Sequence, residues 1–341
     1  MNANFLTIGY AAEQDNQIVL YGWLYAVGQP DLTNAQVFGS FYFGDLNTAG
    51  ARKVAHEFAA AILGRFGYKS LLGSKVYFVS NRTGAKEIWV MDYDGSNQKQ
   101  ITRYGSISNS PAVSPDGTRL IFTTYASGQP MLQIFSLETG RRLPFLNQEA
   151  SMNSAAEFTP DGEHVLFAST ADRRYANIYS TNLDGSDLRR LTDSPSIDTE
   201  PSVNPKTGRD IVFTSGRSGL PQIWRMDIDG ANVSRLTDGE GEAVNPEWSP
   251  DGQHIAFAWT RGYAPGNYNI FIMDVATRKY DQLTHGAGRN ESPSWAPDGR
   301  HVVFSSNRNG SLQIWTMLAD GTQLKQLTTQ GRNESPVWSS R

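Results

Sequence analysis

Short apolar runs of four to seven residues recur through residues 74–341, and turn-forming segments separate them. Examples are RLIFTT (119–124), QIWRMD (222–227) and HVVFSS (301–306), which are rich in β-branched and aromatic residues. The turns repeatedly contain Pro-Asp-Gly, in which proline presets φ, aspartate bonds to its own backbone and glycine accepts a positive φ. The pattern predicts short antiparallel strands joined by tight turns.

The turn-forming segments return at a nearly constant interval. Their second proline slot falls at steps of 45, 45, 45 and 47 residues: Pro115, Pro160, Pro205, Pro250 and Pro297. An isoleucine followed by an aromatic residue occurs six times, at Ile88, Ile134, Ile178, Ile223, Ile270 and Ile314. An aliphatic residue after the next turn also occurs six times, at Ile101, Leu146, Leu191, Leu236, Leu283 and Leu327. Four strands per repeat without a helix is typical of a propeller blade, so the sequence predicts a six-bladed β-propeller over residues 70–341.

The two ends of the repeat region complement each other. Residues 74–92 are predicted to carry the second, third and fourth strands of a repeat, but YKSLLG (68–73) stands where its first strand would be. At the other end, SPVWSS (335–340) has the sequence of a first strand with nothing after it. Because an open ring exposes strand edges, we expect the C-terminal strand to complete the first blade and close the ring.

Residues 1–67 lack the repeat. Segments 4–10, 17–26 and 36–43 are predicted to be strands, and residues 51–66 have apolar side chains at helical spacing. Thr48 is the predicted N-cap of this helix and Gly67 its C-terminal stop. The fold class expected for the whole chain is mainly β: a propeller preceded by a small α+β unit, a partial α/β domain of three strands and one helix.

Composition narrows the function classes. The formal net charge of -4 offers no electrostatic support for nucleic-acid binding. There is no cysteine, which excludes disulfides and thiol chemistry. No apolar run approaches the ~20 residues that a membrane-spanning helix needs. The N-terminus lacks the pattern of a secretory leader, so we expect either a cytoplasmic protein or a processed or truncated form.

Catalytic motifs are not apparent. HEFAA (56–60) lacks the second histidine of a zinc-binding helix, and there is no Gly-x-Ser-x-Gly nucleophile turn. His164, His254 and His301 follow equivalent turns, which indicates a repeated structural position. We therefore expect a protein that is not an enzyme.

Binding residues are expected in the loops that enter each first strand and in the loops between second and third strands, because these meet at one mouth of a propeller channel. The first set is Asn109, Asn153, Asp198, Glu200, Asn245, Asn290, Glu291, Asn333 and Glu334. The second set is Arg82, Arg217 and Arg308. Carboxylates, amides and guanidinium groups together could bind a protein partner. Equally, these groups could simply pair between neighbouring blades. Glu291 and Glu334 are also weak candidates for Ca²⁺ in the channel, but no required cofactor is expected.

The repeat SPxWSPDGxxIxFxSxRxGxxQIWxMDxDG resembles that of the TolB family, periplasmic propellers of the Tol–Pal envelope system. Residues 110–117, 213–228, 246–259 and 293–328 carry the resemblance most clearly, and residues 1–67 are similar to the second half of the α/β domain in that family. The resemblance implies a periplasmic location, a Pal-like (peptidoglycan-associated) lipoprotein as partner, other Tol proteins as further partners, and a role in envelope integrity. We expect a monomer that does not span a membrane.

Two alternatives stay open from the residues alone. One is a propeller that binds or processes a small ligand or carbohydrate around a channel metal. The other is the gating propeller of a prolyl-oligopeptidase-like peptidase. Related Pro-Asp-Gly blades occur in both classes.

Overall fold

The protein forms two compact units, Met1–Leu72 and Gly73–Arg341. The computed structural model describes residues 4–29, 31–150, 152–171 and 174–339. Ser340, the last residue of the predicted final strand, lies outside this described part.

The first unit is an antiparallel sheet in the order β1-β2-β3, with one long helix. Its elements are β1 (Phe5–Gln14), β2 (Gln17–Ala26), α1 (Leu32–Ala35), β3 (Gln36–Asp45) and α2 (Thr48–Arg65). Helix α2 packs on β2 and β3. The ring of Phe58 contacts those of Phe38 and Tyr42, with centroids 6.2 and 6.0 Å apart. These contacts bury the apolar face of the helix on the sheet.

Helix α2 begins at Thr48, three residues before the predicted start at residue 51, and its N-cap lies one residue before the predicted cap. Asn47, not Thr48, is the N-cap, and its Oδ1 accepts a 2.9 Å hydrogen bond from the Gly50 N–H. Asparagine and threonine are both good capping residues, so the sequence alone did not distinguish them. Asn47 takes this position because its extended backbone aims its side chain at the first turn.

The second unit consists of short strands, and the protein as a whole is mainly β. The described residues of this unit form six four-stranded antiparallel sheets, which are consistent with propeller blades. The sheet that holds the start of the unit contains β4 (Lys75–Thr83), β5 (Ala85–Asp92) and β6 (Lys99–Gln100). The next contains β7 (Ser108–Val113), β8 (Arg119–Thr124), β9 (Met131–Ser136) and β10 (Arg142–Leu143).

The remaining sheets repeat this order along the chain. The third contains β11 (Asn153–Phe158), β12 (His164–Ser169), β13 (Asn177–Asn182) and β14 (Arg189–Arg190). The fourth contains β15 (Asp198–Val203), β16 (Asp210–Ser215), β17 (Gln222–Asp227) and β18 (Ser234–Arg235). The fifth contains β19 (Ala243–Trp248), β20 (His254–Trp259), β21 (Asn269–Asp274) and β22 (Tyr280–Gln282). The sixth contains β23 (Asn290–Trp295), β24 (His301–Ser306), β25 (Gln313–Leu318) and β26 (Lys325–Gln326).

The last strand, β27 (Asn333–Ser339), belongs to the same sheet as β4, in the order β27-β4-β5-β6. The two strands are antiparallel, with Asn333 opposite Ser80 and Trp338 opposite Val76. The first strands contact one another in chain order from β7 to β27, and β27 also contacts β7.

Each first strand contains an irregularity at the same place. In β7 the pairing with β8 shifts between Asn109 and Ala112, so Ser110 and Pro111 form a bulge. Proline suits this position because it has no N–H to contribute to the ladder. The first residue of the bulge has a positive φ of 49–55° in all six first strands. These residues are Ser110, Ala155, Glu200, Asn245, Ser292 and Ser335. The six bulges surround a cavity of about 180 Å³, here called the central cavity.

The core of this unit lies between neighbouring sheets. One cluster joins the fourth and fifth sheets through Val212, Ile223, Trp248 and Phe257. Another joins the fifth and sixth through Ile270, Trp295 and Phe304. Trp248, Trp295 and Trp338, at equivalent positions of three first strands, are all buried. Burying large aromatic side chains between sheets stabilises their stacking.

Candidate functional site: a rim above a central cavity

The rim consists of the loops that enter the first strands and the loops that join second to third strands. One backbone hydrogen bond fixes these loops to each other in all six sheets. A residue at the end of the second strand (Asn81) or directly after it (the other five) donates its N–H to the carbonyl of the residue just before the first strand, at 2.9–3.2 Å. The pairs are Tyr125 to Ile107, Thr170 to Met152, Gly216 to Ile197, Thr260 to Glu242, Asn307 to Arg289 and Asn81 to Arg332. The rim is therefore a rigid surface carried by the sheets.

Three predicted rim arginines share one set of contacts. In each, Nε donates to the serine two residues earlier, Nη2 donates to the first residue of the first strand, and the guanidinium lies over a tryptophan of the third strand. The contacting groups are Arg82 with Ser80, Asn333 and Trp89; Arg217 with Ser215, Asp198 and Trp224; Arg308 with Ser306, Asn290 and Trp315. The Nη2 distances are 2.7–3.0 Å.

These contacts all lie within one sheet, so the expectation of pairing between neighbouring blades is wrong for the arginines. The reason is geometric: the loop after the second strand folds back over its own first and third strands. Burial of Arg82 and Arg308 lowers the pKa of each guanidinium. The three side chains stack on aromatic rings and bond in a fixed direction, which arginine does better than lysine.

The amides and the carboxylate at the first position of the first strands are buried. They are Asn153, Asp198, Asn290 and Asn333. Asn153 accepts a 2.8 Å hydrogen bond from Ser169 and donates to the Gln148 carbonyl at 3.0 Å. The sequence predicted that these residues lie at the rim, and the structure places them beneath its surface, where they orient the loops above.

The next position is half-buried and closer to solvent. The carboxylate of Glu291 accepts from Arg289 Nε at 2.5 Å, while that of Glu334 accepts from Arg332 Nε at 3.1 Å and pairs with Lys86. Burial raises the pKa of Glu291 against the opposing effect of Arg289. Burial also acts to raise the pKa of Glu334, but Lys86 and Arg332 together lower it. Both glutamates accept hydrogen bonds from cations of their own sheet, and Arg332 of the neighbouring sheet also acts electrostatically on Glu291.

Asn109 occupies the same position in β7. Its Oδ1 is buried and has no hydrogen-bond partner among the described residues. Its counterparts Glu291 and Glu334 are ion-paired, so this position is chemically different from sheet to sheet.

Glu200 and Asn245 lie lower, at the bulges that line the central cavity. The Glu200 carboxylate accepts hydrogen bonds from Asn245 Nδ2 at 2.6 Å and from the Asn245 N–H at 2.9 Å. It also accepts from Thr214 at 2.8 Å. Burial raises the pKa of Glu200 despite these bonds. These hydrogen bonds connect neighbouring sheets, β15 to β19. At this position the predicted residues therefore do pair between neighbouring blades.

Two further carboxylates of the central cavity were not predicted from the sequence. Burial raises the pKa of Glu157 to about 8, and the charge of Glu247 contributes. Burial likewise raises the pKa of Glu247 to about 8, although the Trp295 N–H and the Ser294 hydroxyl donate to it at 3.0 and 3.1 Å. The sequence does hold one indication of these two carboxylates. Glu157 and Glu247 occupy a repeat position that holds a small or apolar residue in the other four repeats, namely Ala112, Ser202, Ser294 and Val337.

The candidate metal ligands do not form a cluster. Among the described residues, one group of three side chains has ligand atoms within 4.8 Å of one another, namely Asp161, Glu163 and His164. Glu291 and Glu334 are not part of it. The partner-binding role of the twelve predicted rim residues stays a prediction. In the described part of the chain, no helix combines the length and apolar character needed to cross a membrane.

The repeat region matches a known protein family. The family described as the TolB beta propeller domain matches residues 66–261 and 238–341. The chain belongs to the TolB propeller family. The predicted resemblance is confirmed.

Individual TolB relatives match over shorter segments. A TolB homologue of Chlorobium chlorochromatii is 36% identical over 138 residues, which are 40% of this chain and 30% of the relative. The Tol-Pal system protein TolB of Roseobacter denitrificans is 33% identical over 159 residues, 45% of this chain and 34% of the relative. The matched segments thus span about a third of the length of these curated relatives.

Solved structures show the TolB fold over nearly the whole chain. TolB of Acinetobacter baumannii superposes with a TM-score of 0.81 at 24% identity, covering 98% of this chain and 83% of that one. Oligogalacturonate lyase of Vibrio parahaemolyticus has a TM-score of 0.53 at 13% identity, covering 74% of each chain. At these identities the likeness concerns the fold alone.

Proposed function

We propose that this chain is a non-catalytic, periplasmic propeller that acts as a monomer, binds a Pal-like lipoprotein through its rim and helps to maintain the cell envelope. Family membership and relatives named as Tol-Pal system proteins support this proposal. Other Tol proteins are further candidate partners. The observation that carries the binding role is the rigid rim: the same backbone hydrogen bond holds its loops in all six sheets, and exposed arginines lie beside half-buried carboxylates at Arg289–Glu291 and Arg332–Glu334.

We also propose that the six sheets are the blades of one closed ring over residues 70–341, with β27 as the completing strand. Residues 1–67 would then be a separate, partial α/β domain. The pairing of β27 with β4 and the contact of β27 with β7 support the ring. Closure removes exposed strand edges, which otherwise promote aggregation.

Calorimetric titration with the periplasmic domain of the Pal-like lipoprotein from the same organism tests the binding function. We expect one-to-one binding by the full chain. A triple variant, Arg289→Gln, Arg332→Gln and Lys86→Gln, changes the rim cations and is expected to bind more weakly. Absence of binding heat at high micromolar concentration, with the protein shown to be folded, would refute the proposal.

A channel cation remains a proposal as well. The carboxylates of Glu157, Glu200 and Glu247 line the central cavity, and oxygen ligands of this kind suit Ca²⁺. Glu291 and Glu334, the candidates from the sequence, are ion-paired with arginines, so the proposed ion would have to draw the cavity carboxylates together. Titrating CaCl₂ into chelator-treated protein tests the site: binding heat that disappears in Glu157→Gln supports it, and absence of heat in the parent protein refutes it.

A further inference from the structure

The residue just before each first strand, here called the rim slot, occupies the same position in all six sheets. Its carbonyl accepts the repeated backbone hydrogen bond described above, so its side chain leaves the sheet at an equivalent point each time. The slot residues in chain order are Ile107, Met152, Ile197, Glu242, Arg289 and Arg332. The residue type at this position is not repeated, so the repeat pattern of the sequence does not mark it.

The slot divides the rim into two arcs. Three consecutive sheets carry apolar side chains, and the next three carry charged ones. Because neighbouring first strands contact each other in this order, the two groups lie on opposite halves of the rim. Ile107 and Ile197 are 43% and 54% exposed, and Arg289 and Arg332 are equally accessible, with 48% and 47% of their side chains exposed.

The surroundings of the slot differ between the two arcs. In the charged arc, the slot N–H of Arg289 and of Arg332 is held by an asparagine side chain, Asn307 or Asn81, at 2.6 and 2.8 Å. In the apolar arc, Ile107 stands opposite Tyr125, which is itself 36% exposed. Contiguous exposed apolar residues on a rigid surface are typical of interaction sites.

The arginines of the charged arc have donors to spare. Arg289 and Arg332 each donate Nε to the glutamate of their own first strand. Among the described residues, their terminal nitrogens make no hydrogen bond. A guanidinium with free terminal nitrogens binds a carboxylate in a fixed, directional geometry.

We propose that the rim recognises its partner in two halves: apolar side chains of the partner pack on Ile107, Met152 and Ile197, while carboxylates bind Arg289 and Arg332. The fitting partner is a folded protein surface that carries an apolar patch beside acidic residues. This inference rests on the proposed function, since it describes the chemistry of the same partner.

The experiment uses the full chain and the periplasmic domain of the Pal-like lipoprotein, titrated at low and high NaCl. The apolar variant is Ile107→Ser with Ile197→Ser, and the charged variant is Arg289→Gln with Arg332→Gln. We expect each to weaken binding at low salt by at least about tenfold. The charged variant should also lose most of the salt dependence, whereas the apolar variant should retain it, because salt screens exposed charges only.

The matched controls lie at the other end of the sheets. Leu324→Ser with Val233→Ser removes side chains that are 43% and 37% exposed, and Arg209→Gln removes an exposed cation. Both controls should bind like the parent, and thermal melts should confirm that every variant folds.

The outcomes separate the two proposals. If the parent protein binds but the apolar variant keeps its affinity within twofold, or the charged variant keeps the parent salt dependence, the two-half recognition is wrong and the binding function stands. If the parent protein shows no binding at high micromolar concentration, the proposed function fails and this inference fails with it.

Discussion

The guanidinium of Arg82 donates a 3.0 Å hydrogen bond to the Oδ1 of Asn333, a residue 251 positions later in the chain. Asn333 in turn donates through Nδ2 to Gln313 of the preceding sheet at 2.7 Å. The buried side-chain amide of Asn333 therefore connects β27, at the end of the chain, with β4 and with the sixth sheet. Such a network is strong because each partner is satisfied and shielded from water.

Deleting residues 333–341 should destabilise the protein severely. The deletion leaves β4 without its neighbour, removes the acceptor of Arg82 and takes the buried Trp338 out of the core. Loss of a buried tryptophan alone costs about 3–5 kcal/mol, so we expect a fall in melting temperature of roughly 10 °C or more, or aggregation. Calorimetric melting measures it. A chain that ends at Ser339 is the control, and an unchanged melt of the longer deletion would contradict the closing role of β27.

Arg217→Ala should be more harmful than Arg308→Ala, although the two arginines make matching contacts. Arg217 neutralises Asp198, which is fully buried, whereas Arg308 bonds to the uncharged Asn290. Removing one partner of a buried ion pair costs about 3–5 kcal/mol, and losing a hydrogen bond between a charged and an uncharged group costs about 1.5–3 kcal/mol. The free energies of unfolding come from urea titration.

A second substitution checks this reason. Asp198→Asn in the Arg217→Ala background removes the unpaired charge and should recover more than about 1 kcal/mol. Equal losses for the two arginine variants, or no recovery in the double variant, would show that the buried charge is not the cause.

Glu157→Gln should stabilise the protein at alkaline pH. The pKa of Glu157 is raised to about 8, so between pH ~4.3 and pH ~8 the unfolded chain releases a proton that the folded protein keeps. Stability therefore falls as pH rises through this window, and it stays lowered above it. The variant should match the parent near pH 4 and exceed it at pH 9 by on the order of a few kcal/mol.

Urea titrations from pH 4 to pH 9 measure this difference, with Glu138→Gln at an exposed position as the control. A Glu157→Gln advantage that does not change with pH would contradict the assignment of the effect to ionisation in the central cavity.

Gly230→Ala should destabilise the protein more than Gly208→Ala. Both glycines have positive φ, 89° and 65°, which costs an alanine about 1–2 kcal/mol. A Cβ on Gly230 would also lie 2.4 Å from the Leu191 carbonyl oxygen of the neighbouring sheet, whereas one on Gly208 would meet nothing within 4 Å. We expect Gly208→Ala to show the backbone cost alone and Gly230→Ala to show at least twice that loss. Melting temperatures that fall equally would mean that the neighbouring sheet yields to the added methyl group.

The sequence by itself determined the local structure of the repeat. The predicted strands 119–124, 222–227 and 301–306 coincide with β8, β17 and β24. Each is bounded by turn residues whose backbone preference is intrinsic, so neighbours along the chain suffice to place it. The predicted helix at 51–66 was likewise found, as α2, with a start that two adjacent capping residues left ambiguous.

The tertiary structure alone decided what the candidate site residues touch. Repeat position placed Asn290 and Asn333 at the rim, but the folded loops cover them and leave Arg289 and Arg332 at its surface. Nothing local to Glu157 indicates its raised pKa, because that depends on Glu247 and on water excluded by six converging strands. Local sequence specifies backbone conformation, whereas burial and long-range partners arise only when the sheets pack together.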